Sequence, residues 1–315
     1  MILVVGGAGY TGSVLVRELL KKGHKVRVVD VMWFGNQLDT HSNLEIVEKM
    51  YDQISFLDMD GVDCVVHLAN VANDPSVDLA PVLSWEINVL HFKSLLDLCR
   101  RSEIDKFIYA SSGSVYGVKT EDLVTEELDL VPISVYNKTK MIAERVLRSY
   151  KDDFKVFALR PATVCGPSPR MRFDVLVNMF VKQARFDGKI KVFGGDQIRP
   201  NIHIEDLAKA YIHIMESDIP SGEYNAGFEN LSVMQVANMV KRYIECEVEI
   251  FESNDPRSYR QDSSKLLNTG FIPSKGVDLA IQELINAFDS GSLRDDPRCY
   301  TVNWMKEKGI GVFNG

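Results

Sequence analysis

The chain has no CxxC pair, no long cluster of lysine or arginine, and no apolar run near the roughly 18 to 20 residues a membrane-spanning helix needs. Each absence removes a class of protein. The five cysteines (Cys64, Cys99, Cys165, Cys246 and Cys299) are odd in number and widely scattered. Neither a zinc site nor a disulfide framework is expected, and a reduced cytoplasm is the default location. No cluster of His, Asp and Glu has metal-ligand spacing, so no metal is expected. The net charge of −8 argues against nucleic acid as a partner, and the missing apolar span argues against a membrane. The start, Met1-Ile2-Leu3-Val4-Val5-Gly6, has no basic region or small-residue cleavage site and reads as a strand, not a signal peptide. Repeats and low-complexity stretches are missing too. What remains is a soluble globular composition, 45% hydrophobic and 25% charged over 315 residues, enough for one large domain or two intimate ones.

The first half alternates strand-like and helix-like patterns. Ile2–Val5, Lys25–Asp30, Cys64–Ala69, Lys106–Ser111 and Val156–Arg160 read as buried strands. Helical spacing is expected over Gly12–Lys22, closed by Gly23, then over Trp85–Arg101 and from about Val135 to Tyr150. Such alternation predicts a parallel sheet covered on both faces. After Pro161 the rhythm changes. Helices are expected at Phe173–Phe186, Asp206–Glu216 and Val233–Ile244, with a strand at Ile190–Phe193. From about Ser290 the helical pattern is too thin to assign.

Gly6-Gly7-Ala8-Gly9-Tyr10-Thr11-Gly12 sits between the first strand and the first helix. Glycines there allow a tight turn and bring backbone N–H groups to a pyrophosphate at the helix N-terminus. The spacing is G-x-x-G-x-x-G, shifted from the commoner G-x-G-x-x-G. Asp30 ends the next strand, where a carboxylate can bind ribose hydroxyls and repel a 2′-phosphate, favouring NAD over NADP. Further on, Ser111-Ser112 close a buried strand, and Tyr136 precedes Lys140 by four residues, one helical turn. A nearby ammonium and a positive nicotinamide ring are expected to lower the phenol's pKa, so that Tyr136 takes a proton from a substrate hydroxyl while Ser112 holds the reacting oxygen.

These residues resemble the extended short-chain dehydrogenase/reductases, in particular their NAD-dependent nucleotide-sugar epimerase/dehydratase branch. The resemblance runs from Ile2 to about Leu284 through the glycine loop, Asp30, His67-Leu68-Ala69, Asn88, Ser111–Gly117, Tyr136/Lys140, Leu159-Arg160-Pro161, Arg199–Asp206 and Asp255–Asp262. It implies a Rossmann-type doubly wound parallel sheet with a smaller α/β C-terminal substrate domain. The NAD-binding part would be 1–162 with 198–223 returning to it, and the substrate part 163–197 and 224–315. It implies Ser112, Tyr136 and Lys140 as the catalytic group. The cofactor would be held by Gly6, Gly9, Tyr10, Thr11, Gly12, Asp30, Leu68, Ala69, Asn88, Ser111 and Pro161, with Tyr136 and Lys140. A nucleotide-diphosphate sugar would meet Ser112, Thr163, Arg199 and Arg257, and a homodimer is implied. Arg170 and Arg172 are read as a phosphate grip or as solvated charges at a helix start, and Asn178 as facing the diphosphate. His67, His203 and Asp206 are read as structural.

Three departures shape the expected activity. Relatives that eliminate water or carbon dioxide usually place an acid after the catalytic Ser or Thr (T-D-E-V-Y-G or T-S-E-V-Y-G), whereas this chain has Gly113-Ser114. Lys49-Met50-Tyr51-Asp52 stands where relatives have G-D-I/V, and Thr163 and Cys165 stand for Asn and Tyr. The expectation is an NAD-dependent nucleotide-sugar 4-epimerase working through a transient 4-keto sugar. A C4 dehydrogenase or ketoreductase stands next, then a 4,6-dehydratase, and last a non-catalytic NAD-sensing scaffold.

Overall fold

In the computed structural model, which describes residues 1–311, the chain forms strands β1 (Ile2–Val5), β2 (Val26–Asp30), β3 (Leu44–Glu48), β4 (Cys64–His67), β5 (Lys106–Ala110) and β6 (Lys155–Pro161). After these come β7 (Thr163–Cys165), β8 (Lys189–Phe193), β9 (Ile198–His203), β10 (Gly222–Ala226), β11 (Glu229–Ser232) and β12 (Glu247–Phe251). One seven-stranded sheet runs in the order β10-β6-β5-β4-β1-β2-β3, and every pairing in it is parallel. This is the doubly wound α/β architecture expected. Strand residues alternate between two cores, as the period of two requires. Val4, Val28, Ile108 and Phe157 pack with Val14, Leu15, Leu19, Leu207 and Tyr211 on one face. Leu3, Val5, Val65, Phe107 and Tyr109 pack with Phe92, Leu95, Leu96 and Leu147 on the other. The order reverses between β1 and β4, which opens a crevice beyond their carboxyl ends.

Beyond the main sheet, β7, β9 and β11 form a three-stranded sheet, and β8 pairs with β12. The helix Ile204–Glu216 packs on the glycine-loop helix Tyr10–Lys21, while β10 extends the main sheet at its edge.

Several boundaries differ from expectation for local reasons. The helix expected from Phe173 begins at Leu176, because Phe173 N donates to Cys299 O (3.0 Å) and Val175 is extended; a π turn at Gln183–Asp187 completes it. The helix expected from Trp85 holds a π turn, Glu86–Leu90, before continuing as His91–Arg101. Strand β3 was not anticipated, since this half-exposed edge strand carries a charged residue at every exposed position. The tail forms a helix, Thr301–Glu307, that buries Thr301 and Met305. All five cysteines are free, and no metal-holding cluster or membrane-length apolar helix occurs among the described residues.

Candidate active site

The loop after β1 needs glycine at two points. Gly6 has φ +84°, and a Cβ there would stand 2.5 Å from Ala69 N, on the loop after β4. A Cβ on Gly12 would strike the Gly6 carbonyl. The helix N-terminus is therefore pressed against the strand end, with Gly9 as an N-cap that offers no side chain. Asp30 accepts from Ala8 N (3.0 Å) and Met32 N (2.9 Å), and its burial raises the carboxyl above its ordinary range. Trp33, Phe34, Leu68 and Ala69 line the cavity beside it. Lys49, Met50 and Tyr51, the segment that departs from the family pattern, line it too.

A second, continuous cavity of about 380 Å³ joins this loop to the proton-transfer residues. Gly9, Thr11, Gly12, Ser111, Ser112, Tyr136, Lys140, Pro161, Thr163, Arg170 and Arg172 all line it. Ser111 and Ser112 emerge where β5 ends. Tyr136 and Lys140 sit on the helix Val135–Arg148, whose N-cap Ser134 accepts from Asn137 N (3.1 Å). Lys140 Nζ donates to Ala110 O (2.6 Å) and lies 5.9 Å from the Tyr136 ring centroid. Burial pulls the Lys140 ammonium down to about 7. Burial also pushes the Tyr136 phenol up to about 12, against a lowering by the Ser112 hydrogen bond and the Arg172 charge. The expected lowering of the phenol by Lys140 is thus corrected: the ammonium is spent on the Ala110 carbonyl, and desolvation dominates at the phenol.

Asn88 lies in the π turn and is fully buried. Its Oδ1 accepts from Val71 N (2.9 Å), and its Nδ2 donates to Val71 O (3.1 Å) and Thr139 Oγ1 (3.2 Å). It clamps the loop after β4 to the Tyr136 helix. Ser112 Oγ lies 2.8 Å from Ser114 Oγ, which also accepts from Asn137 Nδ2 (2.9 Å). A Cβ on Gly113 would sit 3.2 Å from both Tyr259 Oη and Gln261 Oε1. Two side chains from the 259–261 segment thus crowd Gly113, one of the two positions after Ser112 that depart from the relatives' acidic pattern.

Behind the cavity lies a network that the sequence reading missed. Arg160 and Glu144 form a two-pronged ion pair (3.0 and 2.7 Å) with side chains only 2% and 3% exposed. Ser111 Oγ donates to Glu144, Arg160 Nη1 to Tyr116 Oη (2.7 Å), and Tyr116 Oη to Asn225 Oδ1 (2.8 Å). Gln261 Nε2 reaches Arg160 O (2.7 Å) and Asn225 Oδ1 (2.9 Å). A Y-x-x-x-K-x-x-x-E run was the one visible signal, since Glu144 follows Lys140 by a further helical turn.

The expected substrate residues separate. Arg172 stays on the cavity, paired with Asp174 (2.7 Å). Asn178 does not face a diphosphate. Its Oδ1 accepts from Gly166 N (3.0 Å), and its Nδ2 donates to Tyr10 Oη and Arg172 O (both 2.9 Å). Tyr10 Oη in turn donates to Gly166 O (2.7 Å), so both residues brace the 166–172 loop. Arg199 and Arg257 share Asp255 (3.0 and 2.7 Å), and Arg257 also pairs with Asp74 (2.9 Å), which lines the main cavity. Thr163 borders both the main cavity and the cleft that Arg199 lines. His67 is buried among Tyr51, Phe92, Phe107 and Tyr109 with neither ring nitrogen partnered, and burial holds its pKa near 3. His203 caps the helix Ile204–Glu216 and meets Glu283 (3.0 Å), while Asp206 accepts from Ser274 N and Lys275 N (both 2.7 Å).

A family model described as "NAD dependent epimerase/dehydratase family" matches residues 2–227. The chain belongs to that family. Its members depend on NAD, and this chain is an NAD-dependent enzyme of the same kind. It is similar to UDP-glucose 4-epimerase of Lactobacillus helveticus, 28% identical over 293 residues, which are 84% of this chain and 89% of the relative. It is also similar to UDP-glucuronic acid decarboxylase 1 of Xenopus tropicalis, 27% identical over 305 residues, 91% of this chain and 72% of the relative. Among solved structures, UDP-N-acetylglucosamine 4-epimerase from Methanobrevibacter ruminantium M1, in complex with UDP-N-acetylmuramic acid, superposes with a TM-score of 0.85 at 25% identity, covering 92% of this chain and 98% of that one. The glycine cradle and Asp30 fit the family's cofactor, a dinucleotide whose pyrophosphate needs close backbone approach and whose ribose needs an acceptor.

Proposed function

We propose that the protein is a nucleotide-sugar 4-epimerase. The observation that carries this reading is the Ser112–Tyr136–Lys140 group on one cavity with the glycine loop, beside Gly113-Ser114, which offers no carboxylate. Bound NAD supplies a reversible hydride acceptor. Ser112 donates a hydrogen bond to the substrate's C4 oxygen, and Tyr136 Oη exchanges the proton of that hydroxyl. Because the phenol sits near 12, its ionisation requires positive charge brought into the cavity, with the Ser112 hydrogen bond and the Arg172 charge already there to support it. The 4-keto sugar left after oxidation has a trigonal C4, and its reduction from the other face inverts that centre. Elimination of water needs a second acid–base group beside Ser112, and Gly113-Ser114 supply no carboxylate there. Pairing of Arg199 and Arg257 with Asp255 offers two guanidiniums that a diphosphate can recruit.

The test is incubation of the purified enzyme with UDP-glucose, UDP-N-acetylglucosamine and UDP-glucuronic acid, with products read by NMR. The expected outcome is a C4 epimer with no net NADH absorbance. Stoichiometric NADH would show a dehydrogenase instead, and loss of water a dehydratase. Tyr136→Phe, assayed at saturating NAD, is expected to cut turnover by about 10²–10⁴. Unchanged turnover in that variant would remove Tyr136 from the mechanism.

A further inference from the structure

Two arginines line the main cavity, and Arg172 is answered there by Asp174, just as Arg199 and Arg257 elsewhere are answered by Asp255. Arg170 is different. Only 5% exposed, it makes no ion pair among the described residues. Its buried Nε has no partner, and Nη2 makes a single 3.3 Å bond to Thr301 Oγ1. Its guanidinium lies over the Phe34 ring, 3.8 Å from the centroid. A buried cation that no carboxylate contacts directly is costly: Asp174 and Asp30 favour its charge from a distance, yet burial, with the Arg172 charge, pulls the guanidinium down to about 10.

The cavity that Arg170 lines also contains Gly9, Thr11 and Gly12, at the start of the twelve-residue helix Tyr10–Lys21. That helix has no side-chain cap and no acid in its first turn, so its first N–H groups also await an acceptor. Two sets of unanswered donors, one on each wall, share one space. Asp30 makes the ribose end of the cofactor site hostile to a phosphate, which leaves the glycine loop as the place for the anion.

We propose that Arg170 is a cofactor ligand whose guanidinium, braced by Phe34 and Thr301, pairs with the NAD pyrophosphate that the glycine loop holds. This reassigns Arg170 from the sugar nucleotide to the cofactor. It also gives the tail a task. Thr301 N donates to Asp174 Oδ2 (3.1 Å), and Trp304 Nε1 donates to Trp33 O (2.7 Å). The Thr301–Glu307 helix thereby ties the loop after β2 to the loop that bears Arg170. The proposal rests on the family's NAD dependence and not on the 4-epimerase reading, so either can fail without the other.

The test is calorimetric titration of the full chain, freed of nucleotide, with NAD, adenosine and UDP. In Arg170→Gln, affinity for NAD is expected to fall by about ten- to a hundredfold, while adenosine and UDP bind as before. Arg170→Lys should recover part of the loss, because a point charge replaces the planar fork. Should the Gln variant fail to fold, Thr301→Val keeps the charge and removes only its brace, and a fall of about two- to fivefold for NAD alone is expected. An equal loss for adenosine and NAD would overturn the proposal, since Arg170 would then only shape the adenosine end. A loss for UDP with NAD unchanged would overturn it in favour of the substrate, and unchanged NAD binding in a folded Arg170→Gln, or in Thr301→Val where the Gln variant does not fold, would overturn it outright.

Discussion

Replacing Lys140 with Met should make the protein more stable below neutral pH and less stable above pH 10. Lys140 is almost fully buried, and its ammonium is drawn from the ordinary 10.5 down to about 7. At about 1.4 kcal/mol for each factor of ten, that gap corresponds to about 5 kcal/mol of destabilisation wherever both folded and unfolded chains hold the proton. The full cost is therefore present below pH 7. Above it the folded chain releases the proton while the unfolded chain keeps it, so stability recovers as pH rises towards 10.5. Met removes the charge but leaves the Ala110 carbonyl without its 2.6 Å donor, a loss of about 1–3 kcal/mol at every pH. The balance is a gain of about 2–4 kcal/mol at pH 6, passing through zero and becoming a loss of about 1–3 kcal/mol near pH 10.5. Urea denaturation of the nucleotide-free chain at pH 6, 8 and 10 measures it. A Met variant that is weaker at pH 6, or whose difference from the parent ignores pH, would refute the reasoning. The same variant should lose turnover by about 10²-fold or more, so stability and activity are set against each other at this residue.

Three further outcomes follow from the geometry. Glu144→Ala strands the buried Arg160 guanidinium and should cost about 3–5 kcal/mol in denaturant titrations, most of it recovered in Glu144→Met/Arg160→Met. Gly113→Asp must displace Tyr259 or Gln261, so a loss of about 1–3 kcal/mol is expected, and mass spectrometry should detect no dehydrated sugar. His67 is held neutral to about pH 3 when folded but titrates near 6.5 when unfolded. Its contribution is intact above pH 6.5 and drains away as pH falls towards 3, by about 2 kcal/mol at pH 5. His67→Phe should therefore flatten the acid side of the stability profile, and an unaltered slope between pH 7 and 5 would contradict the assignment.

Residues whose roles are local were legible in the chain. The glycine loop, Asp30 and the Tyr136–Lys140 turn declare themselves because backbone approach and helical spacing are properties of short segments. Residues whose roles depend on who their neighbours become were not. Asn178 looked open to a diphosphate until Gly166, Tyr10 and Arg172 used all its hydrogen-bonding groups. Arg170 and Arg172 are two positions apart and alike in type, yet only one meets a carboxylate. Strand β3 escaped because an edge strand with charges on its open face lacks the apolar signal of its buried neighbours. The tail helix was obscure for a related reason: its contacts are with Trp33 and Asp174, far away in sequence.

The strand order also dictates when the active site can be finished during folding. Strand β1 lies between β2 and β4, so six parallel strands can assemble from residues 2–161 alone, and the glycine cradle between β1 and β4 is complete within them. The seventh strand comes from residues 222–226, after a long excursion through the smaller sheets. It brings Asn225, which accepts from Tyr116 and Gln261 beside the Arg160–Glu144 pair. Such distant pairing is entropically late. A nucleotide-competent intermediate should thus form before a catalytically competent one, with the amides of β1 and β4 protected from hydrogen exchange ahead of those in β10.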